Sequence, residues 1–249
     1  VVEYHGLRPQ RRQFRRLALR RNTTVVVPSR TLERIVTGTW RLDPAKVHYI
    51  PNGIDCGRFE QSGDDTLARQ FGIDPDAVVV GTVAALRREK NLTRLLHAFS
   101  TLSGDFKAQL VIVGDGAERE PLEAEASRLG LADRVVFTGY QSDPAPILSL
   151  FDIFALSSDT EQMPISVLEA MAAGLPVAGV DVGDVRHIVS SANKPHIVER
   201  DAKALCTELA RFAGDPALRS RVGEENRAHV RAVYDEATMV DAYARLFSD

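Results

Sequence analysis

From about residue 78, short apolar runs rich in Val, Ile and Phe alternate with longer amphipathic stretches, and this alternation restricts the fold more than any other feature. The runs 78–83, 109–113, 134–138, 153–156, 176–180 and 196–198 have the length of strands buried on both faces. Between them lie helical patterns at 91–102, 118–129, 146–150, 165–173 and 202–213, three of them closed by Gly104, Gly130 and Gly174. Alternating βα units predict a parallel sheet covered by helices on both faces, a doubly wound α/β, Rossmann-like domain. Two helices without strands follow at 216–233 and 236–247.

The first fifty residues read differently. Residues 1–4 and 24–27 have strand composition and flank an arginine-rich helix at 9–21; a further helix is expected at 31–40. Pro51 and Asn52-Gly53 then break the chain, which places a domain boundary near Pro51. The expected organisation is residues 1–50 as the last part of a partial second α/β domain, 51–233 as the Rossmann-like domain, and 234–249 as a helix crossing back toward the first.

Composition excludes several classes. At 44% hydrophobic and 26% charged the chain can bury a sizeable core, and a net charge of −3 gives no support for a nucleic-acid partner. Cys56 and Cys206 are too few for a disulfide framework or a metal site, which suits a reducing cytoplasm. No apolar run reaches the roughly 20 residues of a membrane span. Seven arginines (Arg8, Arg11, Arg12, Arg15, Arg16, Arg20 and Arg21) fall within residues 8–21 beside a thin apolar face of Phe14, Leu17 and Leu19. Such a helix reads either as a solvated face or as a peripheral contact with an anionic membrane.

Ligands of open α/β sheets bind beyond the carboxyl ends of the strands. After 109–113 comes Gly114-Asp115-Gly116, a dinucleotide-like start whose third glycine is replaced by Arg119, so the signal is weak. After 153–156 comes a loop leading to Pro164, where a helix begins whose free N–H groups can cradle phosphate. Glu161 precedes that helix and Glu169 lies inside it. Carboxylates repel a diphosphate but accept hydrogen bonds from hydroxyls, so they suit a sugar and a ribose at its two ends. Read singly, they also fit a solvated loop and a surface helix. The cluster Arg87-Arg88-Glu89-Lys90, after the first strand of this domain, could neutralise a departing diphosphate or simply be solvated.

Together the stretches IPNGID (50–55), GTVAALRREKN (81–91), LVIVGDG (110–116), VVFTGY (135–140) and SSDTEQMPISVLEAMAAGLPV (157–177) resemble the C-terminal half of family 4 retaining glycosyltransferases of the GT-B fold. The resemblance implies transfer of a hexosyl group from a UDP- or GDP-sugar to a glycan, lipid-linked or small-molecule acceptor, without a metal or other cofactor. By position, Glu161 would contact the donor sugar, Glu169 the ribose, Lys90 the phosphates, and the amides of Met163, Pro164 and Ile165 the diphosphate region. Gly139 and Tyr140 would lie near the base, Gly81 would let the backbone approach the donor, and His5 would match a histidine near the sugar. Two departures stand out. Ala85 occupies the place of a usual arginine, with Arg87 as the expected substitute, and Gln162-Met163 replaces a glycine and an aromatic residue. A binding module without catalysis and a nucleotide-sugar epimerase remain as alternatives.

Overall fold

The computed structural model describes residues 23–61, 65–102 and 106–248. The expected strand at 1–4, His5, the arginine helix and Gly104 lie outside these residues. The described chain opens on a two-stranded parallel sheet of β1 (Val25–Val27) and β2 (Val47–Tyr49), with Val25 opposite Val47. Between them stands helix α1 (Arg30–Arg34), capped by Ser29, whose hydroxyl accepts from the Leu32 amide at 3.0 Å. The single helix expected at 31–40 is instead α1 followed by a π-helical turn over Ile35–Thr39, closed by the Trp40 amide donating to the Ile35 carbonyl at 3.0 Å. Val36, Thr37, Gly38 and Thr39 are weak helix formers, and the widened turn drops Val36 into a small core with Val27 and Leu42. The strand Val47–Tyr49, with His48 between its two apolar residues, escapes the sequence reading.

After a short helix α2 (Asp65–Gln70) the main sheet begins. Its strands are β3 (Val78–Val83), β4 (Ala108–Val113), β5 (Val135–Gly139), β6 (Ile153–Leu156), β7 (Val177–Val180) and β8 (Ile197–Val198). They lie in the order β5-β4-β3-β6-β7-β8, every pair parallel. The connecting helices are α3 (Leu92–Thr101), α4 (Arg119–Arg128), α5 (Ala145–Leu148), α6 (Ile165–Ala172), α7 (Val185–Ile188) and α8 (Ala202–Gly214). Two cores result, one per face. Leu95, Phe99, Leu122 and Phe212 from α3, α4 and α8 fill one, and Ile147, Leu168, Met171 and Val230 fill the other. Side chains alternate between them along each strand: Val111 and Val113 face one core, Leu110 and Ile112 the other. Burial on both faces explains why the strands read as continuous apolar runs.

α9 (Pro216–Val233) and α10 (Glu236–Ser248) complete the chain. Gly223 of α9 lets it press on the end of α6, where Arg227 donates to the Ala173 carbonyl at 2.7 Å. Between α9 and α10 the chain passes the 50–55 segment. The Ile54 amide donates to the Tyr234 carbonyl and the Glu236 amide to the Ile54 carbonyl, both at 2.9 Å. Among the described residues no helix is long and apolar enough to cross a membrane.

Candidate functional site

The chain builds β3, β4 and β5 outward in one direction, then crosses over and builds β6, β7 and β8 in the other. The loops after β3 and β6 therefore flank the point where the strand order reverses, where open α/β sheets bind ligands. Lys90 and Glu161 meet across it. The Lys90 ammonium donates to Glu161 Oε1 at 2.7 Å, and the Ser158 hydroxyl donates to the same oxygen at 2.7 Å. The Glu161 side chain keeps 9% of its exposure and Lys90 25%, so the pair is shielded yet reachable. An ammonium has three donors, so Lys90 can hold Glu161 and still present N–H groups to an incoming anion.

Neighbouring residues brace this pair. Asn91 sits at φ 44°, a left-handed conformation that Asn tolerates better than most residues, and its side-chain oxygen caps α3 at the Arg94 amide. Its amide group donates to Asp159 Oδ2 at 2.9 Å. Arg94 donates at 2.6 Å to both the Ser157 carbonyl and Asp159 Oδ1. The Asp159 amide in turn donates to the Glu89 carbonyl at 2.8 Å. The loops after β3 and β6 are thus stitched together by charge-assisted bonds before any ligand arrives.

Glu161 leads directly to the start of α6. Pro164 takes the cap position with extended backbone and Ile165 begins the helix, half-exposed, while Met163 is buried in the core. Glu169 follows one and a half turns later, partly buried. Burial pushes its carboxyl above the ordinary range, with Asp143 adding to the rise and Arg58 opposing it; Arg58 and Asp143 themselves pair at 2.9 Å. At the end of β5, Gly139 turns at φ 73° and accepts a hydrogen bond from the Gly114 amide, and the Tyr140 ring stands 76% exposed. An exposed ring at a strand end offers a stacking face for a planar base.

Two residues named from the sequence sit differently from expectation. Gly81 does not sit open to a donor: a Cβ there would lie 2.1 Å from the Phe151 ring, so the glycine exists to let that ring pack on β3. Arg87 is not brought to the Lys90–Glu161 pair; it is exposed, 4.0 Å from Glu89, and lines a neighbouring hollow with Arg88, Glu118 and Asp159. Gly114 and Gly116 serve packing, because side chains there would strike the Ala84 and Leu86 carbonyl oxygens. Arg58, Asn91, Arg94, Asp143, Ser158 and Asp159 escaped the sequence reading. A serine three residues before Glu161 was the one available hint. Among the described residues no group of three or more His, Cys, Asp or Glu could hold a metal ion.

Residues 64–229 match the family model "Glycosyl transferases group 1", and residues 1–58 match "Glycosyltransferase Family 4". The chain is 33% identical over 213 residues to the 2-deoxystreptamine N-acetyl-D-glucosaminyltransferase of Streptomyces fradiae, covering 83% of this chain and 50% of that protein. It is 25% identical over 204 residues to the N-acetyl-alpha-D-glucosaminyl L-malate synthase of Bacillus anthracis, covering 82% and 54%. It thus spans about half the length of these curated relatives. The structure of Anabaena Alr3699/HepE in complex with UDP superposes with a TM-score of 0.91 at 20% identity, covering all of this chain and 70% of that one. The fold is accordingly that of the GT-B glycosyltransferases, α/β and Rossmann-like. With two-thirds of its length matched by the model and the Lys90–Glu161 pair at the switch point of its sheet, this chain belongs to the group 1 glycosyl transferases.

Proposed function

We propose that the chain supplies the donor site of a retaining hexosyltransferase that uses a nucleotide-diphospho-sugar and passes the sugar to a glycan, lipid-linked or small-molecule acceptor. The observation that carries this reading is the Lys90–Glu161 pair, 2.7 Å apart beside the start of α6, with Glu169 further along the same helix. Glu161 accepts from hydroxyls of the sugar, and Lys90 lies between that carboxylate and the diphosphate, screening their repulsion. As the sugar leaves, negative charge grows on the diphosphate, where Lys90 and the α6 amides stabilise it. Glu169 accepts from the ribose and the Tyr140 ring stacks on the base.

UDP is the favoured nucleotide, because the superposed Anabaena protein is described in complex with UDP. Retention at the anomeric carbon is carried over from the family resemblance. Lys90 and the helix start supply the electrostatic stabilisation, so the reaction is proposed to need no metal and to survive a chelator. Transfer is favoured over epimerisation because the similar proteins are named for transfer or synthesis. Cys56 and Cys206 are both free thiols, which suits a cytoplasmic location. A peripheral contact of residues 8–21 with anionic membrane is proposed from their charge and is tested by flotation with neutral and anionic vesicles.

Calorimetric titration with UDP- and GDP-sugars tests the donor site. Glu161→Ala should abolish transfer while leaving nucleotide affinity nearly intact, and Glu169→Ala should weaken nucleotide binding about tenfold. Absence of binding by the unaltered chain to either donor class would sink the proposal.

A further inference from the structure

A single 3-10 turn, Cys56–Phe59, joins parts of the donor unit that are far apart in sequence. The Asp55 carboxylate caps it, accepting from the Gly57 amide at 3.1 Å and the Arg58 amide at 3.3 Å. Cys56 and Phe59 sink into the core shared with Val167 and Leu168, so the turn packs against α6 and also against α5. Arg58, between them, keeps 48% of its side-chain exposure and pairs with Asp143 Oδ1 at 2.9 Å. The same Asp143 oxygen accepts from the Ala145 amide at 3.0 Å, at the start of α5. Asp143 belongs to the loop that begins with Tyr140, so the pair pins the segment presenting that ring.

Arg58 also acts on Glu169. Among the described residues it is the cation that opposes the burial of that carboxyl, whereas Asp143 works in the same direction as burial. The charges on α9, which packs along α6, are engaged elsewhere: Arg227 donates to the Ala172 and Ala173 carbonyls, and Arg231 pairs with Glu60. From the sheet, β6 and β7 bring Phe154, Leu156, Val177 and Val180 into the same core. A guanidinium has five N–H donors, so pairing with Asp143 does not exhaust it. An exposed ion pair adds little to stability, which separates Arg58 from the residues that hold the fold. Ribose hydroxyls donate to a carboxylate, and a protonated carboxyl gives up an accepting site; a positive charge nearby favours the accepting form.

We propose that Arg58 is a positioning residue for the nucleoside end of the donor: it sets the Tyr140 loop through Asp143 and holds a positive charge beside the Glu169 carboxylate that accepts from the ribose. The inference rests on the donor reading above, in which Glu169 meets the ribose.

The test is calorimetry from neutral to mildly acidic pH with UDP and with a UDP analogue whose ribose lacks both hydroxyls. Arg58→Gln should weaken UDP binding about tenfold at neutral pH and move its loss on acidification to higher pH. Asp143→Asn should move that loss to lower pH, because the carboxylate opposing Arg58 is gone. Arg58→Lys, which keeps the charge, should restore the unaltered profile. With the analogue the profiles of all four proteins should coincide. Opposite shifts from two partners of one ion pair are not what a merely structural contact would give, and unchanged melting curves report an intact fold. Coincident UDP profiles in a chain that binds UDP more tightly than the analogue overturn the role of Arg58 and leave the donor reading standing. Equal binding of UDP and the analogue by the unaltered chain takes Glu169 off the ribose and removes both.

Discussion

At the scale of single residues, Gly81 and Glu169 show opposite uses of a position. Gly81 lies in the middle of β3, where an added methyl would penetrate the Phe151 ring. Gly81→Ala is expected to overpack that contact and cost about 1–3 kcal/mol, a fall in melting temperature of about 2–4 °C for each kcal/mol in a chain of this size. An unchanged melting curve would show that the ring moves freely aside. Glu169 carries the reverse tension. Its carboxyl is raised by burial, so its neutral form is the one the fold prefers. Its contribution to folding is fully present below the ordinary carboxyl range and is lost as pH rises through the raised value. Glu169→Gln should therefore stabilise the chain at neutral pH while weakening UDP binding. The unaltered chain should lose UDP affinity on acidification at a higher pH than an ordinary glutamate would dictate. Parallel melting and UDP titrations across pH check both; a destabilised Gln variant would contradict the argument.

At the scale of elements, the site depends on two loops held in register by a helix start. Arg94 in the first turn of α3 reaches the Ser157 carbonyl and the Asp159 carboxylate, and its side chain is only 14% exposed. Arg94→Ala should cost about 1.5–3 kcal/mol and loosen the loop that carries Glu161. Transfer should fall more steeply than UDP affinity, because Glu169 and the α6 amides sit on a helix that Arg94 does not touch. Equal losses in both would mean that the stitch is structural alone. Nothing in the sequence announced it: an arginine four residues after Lys90 reads as an ordinary helix charge until β3 and β6 are known to be neighbours. The strands themselves were legible, because burial on both faces leaves unbroken Val, Ile and Phe runs such as Val78–Val83 and Ile153–Leu156. Lys90, Glu161 and Glu169 were singled out through order and spacing, and the structure brings Lys90 against Glu161 with Glu169 further along α6. Gly81 faces the Phe151 ring, which the sequence did not show, because the same glycine serves close approach to a ring or to a ligand. Arg87 stands away from the Lys90–Glu161 pair because its exposure and direction are set by the turn at Arg88–Lys90.

At the scale of the whole molecule, the relation between the N-terminal segment and the donor unit turns on one buried carboxylate. Asp184, fully buried, accepts from the Arg30 amide at 2.5 Å, the Thr31 amide at 2.9 Å and the Thr31 hydroxyl at 2.6 Å. It thereby satisfies the free N–H groups at the start of α1 from across the boundary, with the Arg30 guanidinium stacked 3.9 Å over Tyr49 beside it. Tyr49 also meets Tyr234, which lies where the 50–55 segment passes the end of α9; burial chiefly, then Tyr49 and Asp184, raises the Tyr234 hydroxyl above its ordinary value. The N-terminal segment, the donor unit and the start of α10 are therefore locked at a single place. Asp184→Asn keeps the shape but puts a donor where an acceptor is required, at a cost of about 2–3 kcal/mol. The expected result is faster proteolysis in the segment that links β2 to α2, with UDP binding retained because Lys90, Glu161 and Glu169 stay within the donor unit. If the variant resists protease as well as the unaltered chain does, the backbone contacts at Ile54 suffice to hold the two parts, and Asp184 is a local cap rather than the lock.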